Sequence, residues 1–335
     1  MTIKDLSAQT GYSVGTISRA LNNQPNVSEK ARAVILKAAA ESGFQLNANA
    51  KQLKQQHSNA ILVVVKGSSN ELFSALVEAI QVRMADTNFQ LVVDYKDDAE
   101  NEVRRAVQLC LEKKPLGILF LGGNRENFIK DFDKIQVPSV LVTNDASDLP
   151  FRNLSSVSLD NKEAAAAAIE HLAELGHRNI GVIGGERIVS DTTRLRYEGC
   201  MEAFRRHGIA FDEEQDYEAV RFSFDGGYQA AQNLLEKGRE LTGLFAMSDV
   251  MAIGAIRALR DAGKRVPEDV SVVGFDGLTI GEYTLPRLST VCQPIVELAE
   301  RSVRILLETI EKKQGRCFDI IPVELKQKES ARKLG

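Results

Sequence analysis

Thr2-Ile3-Lys4-Asp5-Leu6-Ser7, the break Gly11-Tyr12-Ser13, and Val14-Gly15-Thr16-Ile17-Ser18-Arg19-Ala20-Leu21-Asn22 decide how the chain begins to fold. Apolar residues Ile3, Leu6 and Ala8, then Val14, Ile17 and Leu21, then Ala31, Val34, Ile35 and Ala38 recur at helical spacing, with no strand-like stretch among them. Three short helices are expected. Thr2 can cap the first with Asp5 three residues on, Gly11 breaks it, Ser13 can cap the second, and Ser28 with Glu29 can open the third, which Gly43 ends. Only Gly11-Tyr12-Ser13 separates the first two, which is the turn spacing of a helix-turn-helix.

Outward from this segment the rhythm changes. From Ala60 onward short β-branched runs alternate with amphipathic helices, the pattern of an α/β fold with parallel sheets. Strands are expected at 60–65, 89–94, 116–121 and 138–142, with helices near 72–86, 100–113 and 125–134. A second set follows, with strands at 180–183, 217–222, 243–246 and 270–274 and helices near 161–175, 192–207, 226–237 and 250–262. Two similar halves imply a two-lobed body with a cleft between the lobes, the usual place for a small ligand. A last helix near 294–313 and a strand near 320–325 are placed in the first lobe, which then takes about 59–158 plus 292–335 and leaves about 159–291 to the second.

Composition narrows the class. A chain of 335 residues with 44% hydrophobic residues can bury a core in each of two or three domains. The apolar run from Ala60 to Val65 falls far short of the roughly 20 residues that cross a bilayer, so no membrane partner is expected. Met1-Thr2-Ile3-Lys4-Asp5 carries no apolar export segment, and a cytoplasmic location is the expectation. Cys110, Cys200, Cys292 and Cys317 form no CxxC pair and suggest neither a zinc site nor a disulfide framework. The net charge of −4 conceals an asymmetry: residues 1–57 hold seven basic against three acidic side chains, net +4, which leaves −8 on the remainder. A basic head on an acidic body favours a polyanion-binding module at the N-terminus.

Catalytic apparatus is not visible. Gly122-Gly123 and Gly181-Val182-Ile183-Gly184-Gly185 match neither GxGxxG nor the phosphate-loop spacing and read as strand-end turns. His57, His171, His177 and His207 form no HExxH, and GxSxG is absent. The chain is therefore expected not to be an enzyme and to carry no cofactor or metal.

The opening helices, followed by Val27-Ser28, closely resemble the headpiece of LacI/GalR transcriptional regulators. The resemblance continues through residues 174–181 (Glu174 to Gly181), 194–199 (Arg194 to Gly199), 248–255 (Ser248 to Ala255), 266–276 (Val266 to Asp276) and 288–294 (Leu288 to Pro294), so it spans essentially the whole chain. It implies a small all-α helix-turn-helix headpiece over 1–46 and a hinge helix and linker over 47–58. A periplasmic-binding-protein-like body for effector binding and homodimerisation follows over 59–335. It further implies a sequence-specific repressor of a pseudo-palindromic operator in double-stranded DNA, whose affinity a small effector controls.

On this reading the N-terminal end of the second helix meets base edges in the major groove. Val14 and Gly15 stand where such regulators vary their base contacts, Thr16 and Ser18 can bond phosphate, and Arg19 matches a base-contacting arginine. Thr2, Ser13, Asn22 and Ser28 complete the candidate DNA contacts in the headpiece, and Ala50, Lys51 and Leu53 those of the hinge. Asn47-Ala48-Asn49-Ala50-Lys51-Gln52-Leu53-Lys54 is marginal as a lone helix. The resemblance implies two such helices packed in the minor groove with Leu53 as a wedge between base pairs; a linker with Leu53 packed on the body is the alternative.

For the effector, the resemblance assigns Phe73 and Phe222 as apolar walls, Arg196 as a bidentate donor, Asp160, Asp249 and Asp276 as acceptors, and Thr143 and Asn144 as lining of the first lobe. Asp160 and Asp249 read equally well as helix caps, and Phe73 as a core residue. A sugar or sugar derivative is the expected ligand, with a sugar phosphate or nucleobase open because arginine also suits anions. Inducer and corepressor are both compatible. A cytoplasmic sugar- or nucleoside-binding receptor without operator control is the rival function.

Overall fold

The structure, a computed structural model, describes residues 2–21, 25–42, 58–67, 70–97 and 99–335. They fall into two units, Met1–Ser58 and Asn59–Gly335.

In the first unit, α1 (Ile3–Thr10), α2 (Val14–Leu21) and α3 (Glu29–Glu41) pack Leu6, Ile17, Ala20, Ile35, Ala38 and Ala39 into one small core. Each helix starts where a side chain replaces a missing backbone partner. Thr2 Oγ1 accepts from Asp5 N at 3.3 Å while Asp5 Oδ2 accepts from Thr2 N at 2.8 Å, which is a reciprocal capping box. Ser13 Oγ accepts from Thr16 N, and Ser28 Oγ from Ala31 N. Gly11 closes α1 at φ +73°, a left-handed conformation that glycine adopts at little cost. Residues 43–57, with Gly43 and the expected hinge, lie outside the described residues.

The second unit repeats one plan twice. Its first sheet holds β1 (Ala60–Lys66), β2 (Gln90–Lys96), β3 (Gly117–Leu121), β4 (Ser139–Thr143), β5 (Leu154–Ser158) and β11 (Phe318–Ile320). They stand in the order β11-β5-β4-β3-β1-β2, every pair parallel. The second sheet holds β6 (Ile180–Gly184), β7 (Tyr217–Ala219), β8 (Gly243–Ala246), β9 (Ser271–Asp276), β10 (Ser289–Cys292) and β12 (Glu324–Lys326). Its order is β12-β10-β9-β8-β6-β7, parallel except that β12 runs antiparallel to β10. The linking helices are α4 (Glu71–Met84), α5 (Glu102–Lys113), α6 (Arg125–Asp131), α7 (Asn161–Glu174), α8 (Asp191–Arg206), α9 (Glu213–Asp216), α10 (Phe224–Glu236), α11 (Asp249–Asp261) and α12 (Ile295–Lys312).

β1 shows why the apolar runs are continuous rather than alternating. Ile61, Val63 and Val65 enter one core with α4 and α12, whereas Leu62 and Val64 enter another with α5 and the aromatic group Phe120, Phe128 and Phe132. Both faces of the sheet are covered, so both sets of side chains must be apolar. The second lobe buries its own core of α7, α8, α10 and α11 residues around β6, β8 and β9.

The chain passes between the lobes three times, after β5, after β10 and after β11. The structure corrects the sequence reading here. β5 and β10, both rich in serine or threonine, were not anticipated; Ser156 Oγ accepts from Ala146 N and Ser289 Oγ from Lys328 N, so hydroxyls substitute for apolar side chains. The strand expected at 217–222 stops at Ala219. The strand expected at 320–325 is two strands in two sheets, and residues 324–335 stand on the second lobe rather than the first. Val272 N donates to Ser330 O at 2.7 Å, Arg332 N to Ser271 Oγ at 3.0 Å and Leu334 N to Leu175 O at 2.8 Å, which fixes that tail to the second sheet and α7. Among the described residues no helix is long and apolar enough to cross a membrane.

Candidate functional site

Two sites emerge, one in each unit. In the headpiece, α2 buries Ile17 and Ala20 and leaves Val14, Gly15 and Arg19 exposed, with Thr16 and Ser18 half-buried. Amphipathic spacing thus keeps one face in the core and offers the other to a partner. Thr2, Ser13 and Ser28 are exposed and each caps a helix, so three helix N-termini with their partial positive charge sit beside candidate contacts. Asn22, Ala50, Lys51 and Leu53 lie outside the described residues.

The second site is a cavity of about 380 Å³ between the lobes. It lies at the carboxyl ends of the strands, where an open parallel sheet leaves a crevice. Lys66 ends β1, Gly122 and Gly123 follow β3, Thr143 ends β4, Gly185 follows β6, Ala219 ends β7 and Asp276 ends β9; all line the space. Thr143 and Asp276 hold φ at +77° and +123°, rare for residues with a side chain. They occupy corresponding strand ends in the two lobes, so each lobe turns a polar side chain into the cavity at the same point of its fold.

Phe73 and Phe222 form its apolar sides. A methyl group on Gly122 would lie 2.8 Å from Phe73 Cζ, and one on Gly185 2.8 Å from Phe222 Cε2, so each ring rests against a bare backbone at a strand end. The two glycine clusters are therefore turns that seat aromatic walls.

Arg196, on α8, is buried and heavily committed. Its Nε donates to Asn161 Oδ1 at 2.9 Å and its Nη1 to Met247 O at 2.6 Å, while the guanidinium carbon lies 3.6 Å from the centre of the Phe275 ring. Burial pulls its pKa down to about 10, and neighbouring Asp276 works against that, so it stays cationic at neutral pH. Its Nη2 takes part in neither bond. Asp276 Oδ1 accepts from Gln293 Nε2 at 2.7 Å. Burial raises the Asp276 carboxyl above its ordinary range and Arg196 holds it back.

Asp160 and Asp249 do not line the cavity. Asp160 caps α7, its Oδ1 accepting from Lys162 N at 3.1 Å and Glu163 N at 2.9 Å. Asp249 is fully buried and accepts from Leu278 N at 2.6 Å and Thr290 Oγ1 at 2.6 Å, so it ties α11 to β10; burial, then repulsion from Asp276, raises its carboxyl. The other six effector candidates, Phe73, Thr143, Asn144, Arg196, Phe222 and Asp276, all border the space. Lys66, Glu186, Thr192 and Arg221 border it too and were missed. For Lys66, Glu186 and Arg221 the position at or just beyond a strand end was the available signal, whereas Thr192 stands in the first turn of α8. Lys66 Nζ donates to Glu102 Oε2 at 3.0 Å, and Arg221 pairs with Asp97 across the cleft.

A helix-turn-helix unit on the same chain as a two-lobed body with a ligand-sized cleft defines a DNA-binding regulator that responds to a small molecule. Residues 2–47 match the model for bacterial regulatory proteins of the lacI family, and residues 169–331 match the periplasmic binding protein-like domain. The HTH-type transcriptional regulator MalR of Clostridium butyricum is 33% identical over 98% of this chain and 99% of its own length. The crystal structure of the lac repressor dimer bound to operator and the anti-inducer ONPF shares 27% identity at a TM-score of 0.83, covering 99% of each chain. The transcriptional regulator CelR in complex with cellobiose shares 27% identity at a TM-score of 0.73, covering 99% of this chain and 100% of that one. The chain belongs to the LacI family of bacterial transcriptional regulators, and it is a regulator rather than an enzyme.

Proposed function

We propose that this chain represses transcription in the cytoplasm as a homodimer on a pseudo-palindromic operator, and that an uncharged sugar-class molecule in the inter-lobe cavity sets its operator affinity. The observation that carries the ligand class is the charge balance of the lining. Lys66 is paired with Glu102 and Arg221 with Asp97, and Asp276 lies near enough to Arg196 to offset part of its charge. Glu186 adds a further acidic group. An anionic ligand would need an unmatched positive charge to repay its desolvation, whereas hydroxyl groups need only donors and acceptors fixed in direction. Arg196 Nη2, Asp276, Thr143 and Asn144 supply those, and Phe73 and Phe222 cover the apolar faces of a ring.

In the headpiece, Arg19 is assigned to base edges, Val14 and Gly15 to close groove contact, and Thr2, Ser13, Thr16, Ser18 and Ser28 to the phosphates, with Asn22 and the hinge residues Ala50, Lys51 and Leu53 completing the interface. The dimer reading is supported by the apolar side chains Ile280, Tyr283 and Leu285, which are 43%, 82% and 75% exposed on the single chain and would be covered by a second copy. Calorimetric titration with neutral mono- and disaccharides and with their phosphorylated counterparts tests the ligand class. Heat of binding from a neutral sugar is expected; binding of phosphorylated compounds alone would refute it.

A further inference from the structure

Asn161 follows the Leu159-Asp160 crossing between the lobes, and its side chain is buried. Its Nδ2 donates to Thr143 O at 3.3 Å, at the end of β4 in the first lobe, and to Leu159 O at 3.4 Å on the crossing itself. Its Oδ1 accepts from Arg196 Nε in the second lobe. Thr143 and Arg196 both line the cavity. One rigid amide thus joins the cavity wall of one lobe to the buried cation of the other, at a point through which the lobes are covalently connected.

A second set of bonds spans the cleft at its rim. Asn124 Nδ2 donates to Val189 O at 3.0 Å, Arg125 N donates to Asp191 Oδ2 at 2.7 Å, and Arg221 pairs with Asp97. These bonds exist at one lobe spacing. The Nδ2 bonds of Asn161 are already long, so a displacement of the amide by a few tenths of an ångström takes them beyond hydrogen-bonding range. A buried amide group without a partner is costly, so moving the lobes away from this spacing carries a penalty at Asn161.

We propose that Asn161 is a positioning residue that couples occupancy of the cavity to the spacing of the lobes. A molecule bonded to Arg196 Nη2 shifts the guanidinium, Asn161 Oδ1 follows Nε, and the hold of Nδ2 on Thr143 O is kept or lost with the rim bonds. The inference rests on the reading that the cavity holds the effector. Asn161 would contact no effector atom itself, and the effector acts on it through Arg196.

The test uses the full chain carrying Asn161→Asp. The carboxylate keeps an acceptor for Arg196 but faces the Thr143 and Leu159 carbonyls with no donor. Hydrogen exchange reads the lobe spacing through the Arg125 amide, with the Val63 amide inside β1 as an internal reference. Exchange at Arg125 is expected to rise at least tenfold while Val63 stays unchanged. Asp160→Ala, which removes the cap of the same helix, should leave Arg125 at the wild-type rate. Wild-type exchange at Arg125 in Asn161→Asp would overturn the proposal, and so would equal acceleration in Asp160→Ala, since that would reduce Asn161 to support of α7. Should Asn161→Asp not fold, Arg196→Lys removes the Nε donor instead, and unchanged Arg125 exchange there overturns the proposal. Operator binding by fluorescence anisotropy, without any small molecule, should change at least fivefold in Asn161→Asp; unchanged affinity would break the link from spacing to DNA. Failure of the wild-type chain to bind any operator would count against the repressor reading, and the exchange result would stand separately.

Discussion

Arg196 and Phe275 stack, with the guanidinium carbon 3.6 Å from the ring centre, while two of the three guanidinium nitrogens are spent on Asn161 and Met247. A planar, forked cation is therefore required, and lysine cannot replace it. Arg196→Lys should lose the small-molecule response while sequence-specific operator binding persists at an affinity shifted as in Asn161→Asp, because the base-reading residues of the headpiece are untouched. Calorimetry on the variant and wild type, with any sugar that binds the latter, checks this; a wild-type affinity would remove Arg196 from the site.

Gly185 tests the aromatic wall. Its Cβ position lies 2.8 Å from Phe222 Cε2 and 3.1 Å from Thr193 Oγ1. Gly185→Ala should push the Phe222 ring from its seat and weaken effector binding by roughly tenfold, about 1.4 kcal/mol, within the usual range for overpacking. Equal binding would mean that the ring does not touch the ligand.

His177 gives the second lobe a dependence on pH. Its ring is buried, Nε2 meets Arg332 O at 3.1 Å, and Nδ1 has no partner among the described residues. Burial lowers the pKa below the ordinary 6.5, as it does for His171. The unfolded chain takes up protons near pH 6.5 that the folded chain refuses, so this contribution to stability is lost as pH falls below 6.5. His177→Gln keeps a donor for Arg332 O and should show a shallower fall in Tm between pH 7 and 5 than the wild type, with part of the slope left to His171. Parallel melting curves would contradict the assignment.

In the headpiece, Thr2→Ala removes one half of the capping box and should cost about 1 kcal/mol of headpiece stability, read by thermal melting of the full chain. Arg19→Ala should weaken operator binding by about 1–3 kcal/mol while lowering binding to random DNA much less. An equal loss on both would make Arg19 a phosphate contact only.

Much of this was legible in the sequence, for physical reasons that differ by element. The capping box of Thr2 with Asp5 is local, and so it could be read directly. β1 was legible because a strand buried on both faces must be apolar throughout. β5 and β10 escaped because their serine and threonine hydroxyls bond neighbouring backbone, which no periodicity records. Asp160 and Asp249 show the same limit at the site: a carboxylate at the start of a helix reads alike whether it meets a ligand or a backbone N–H. Lys66 and Asn161 were missed because their partners are distant in sequence, and only the packing of α5 on β1 and of α8 on α7 brings Glu102 and Arg196 to them.

The most direct test of ligand-gated operator binding is fluorescence anisotropy of the purified chain on a labelled fragment of its own promoter region, across salt and with a panel of neutral sugars, nucleosides and sugar phosphates. Tight, sequence-specific binding that one neutral sugar weakens or strengthens is the predicted result, and its direction assigns inducer or corepressor. Binding of a sugar without any specific operator binding would contradict the account and leave a receptor in its place.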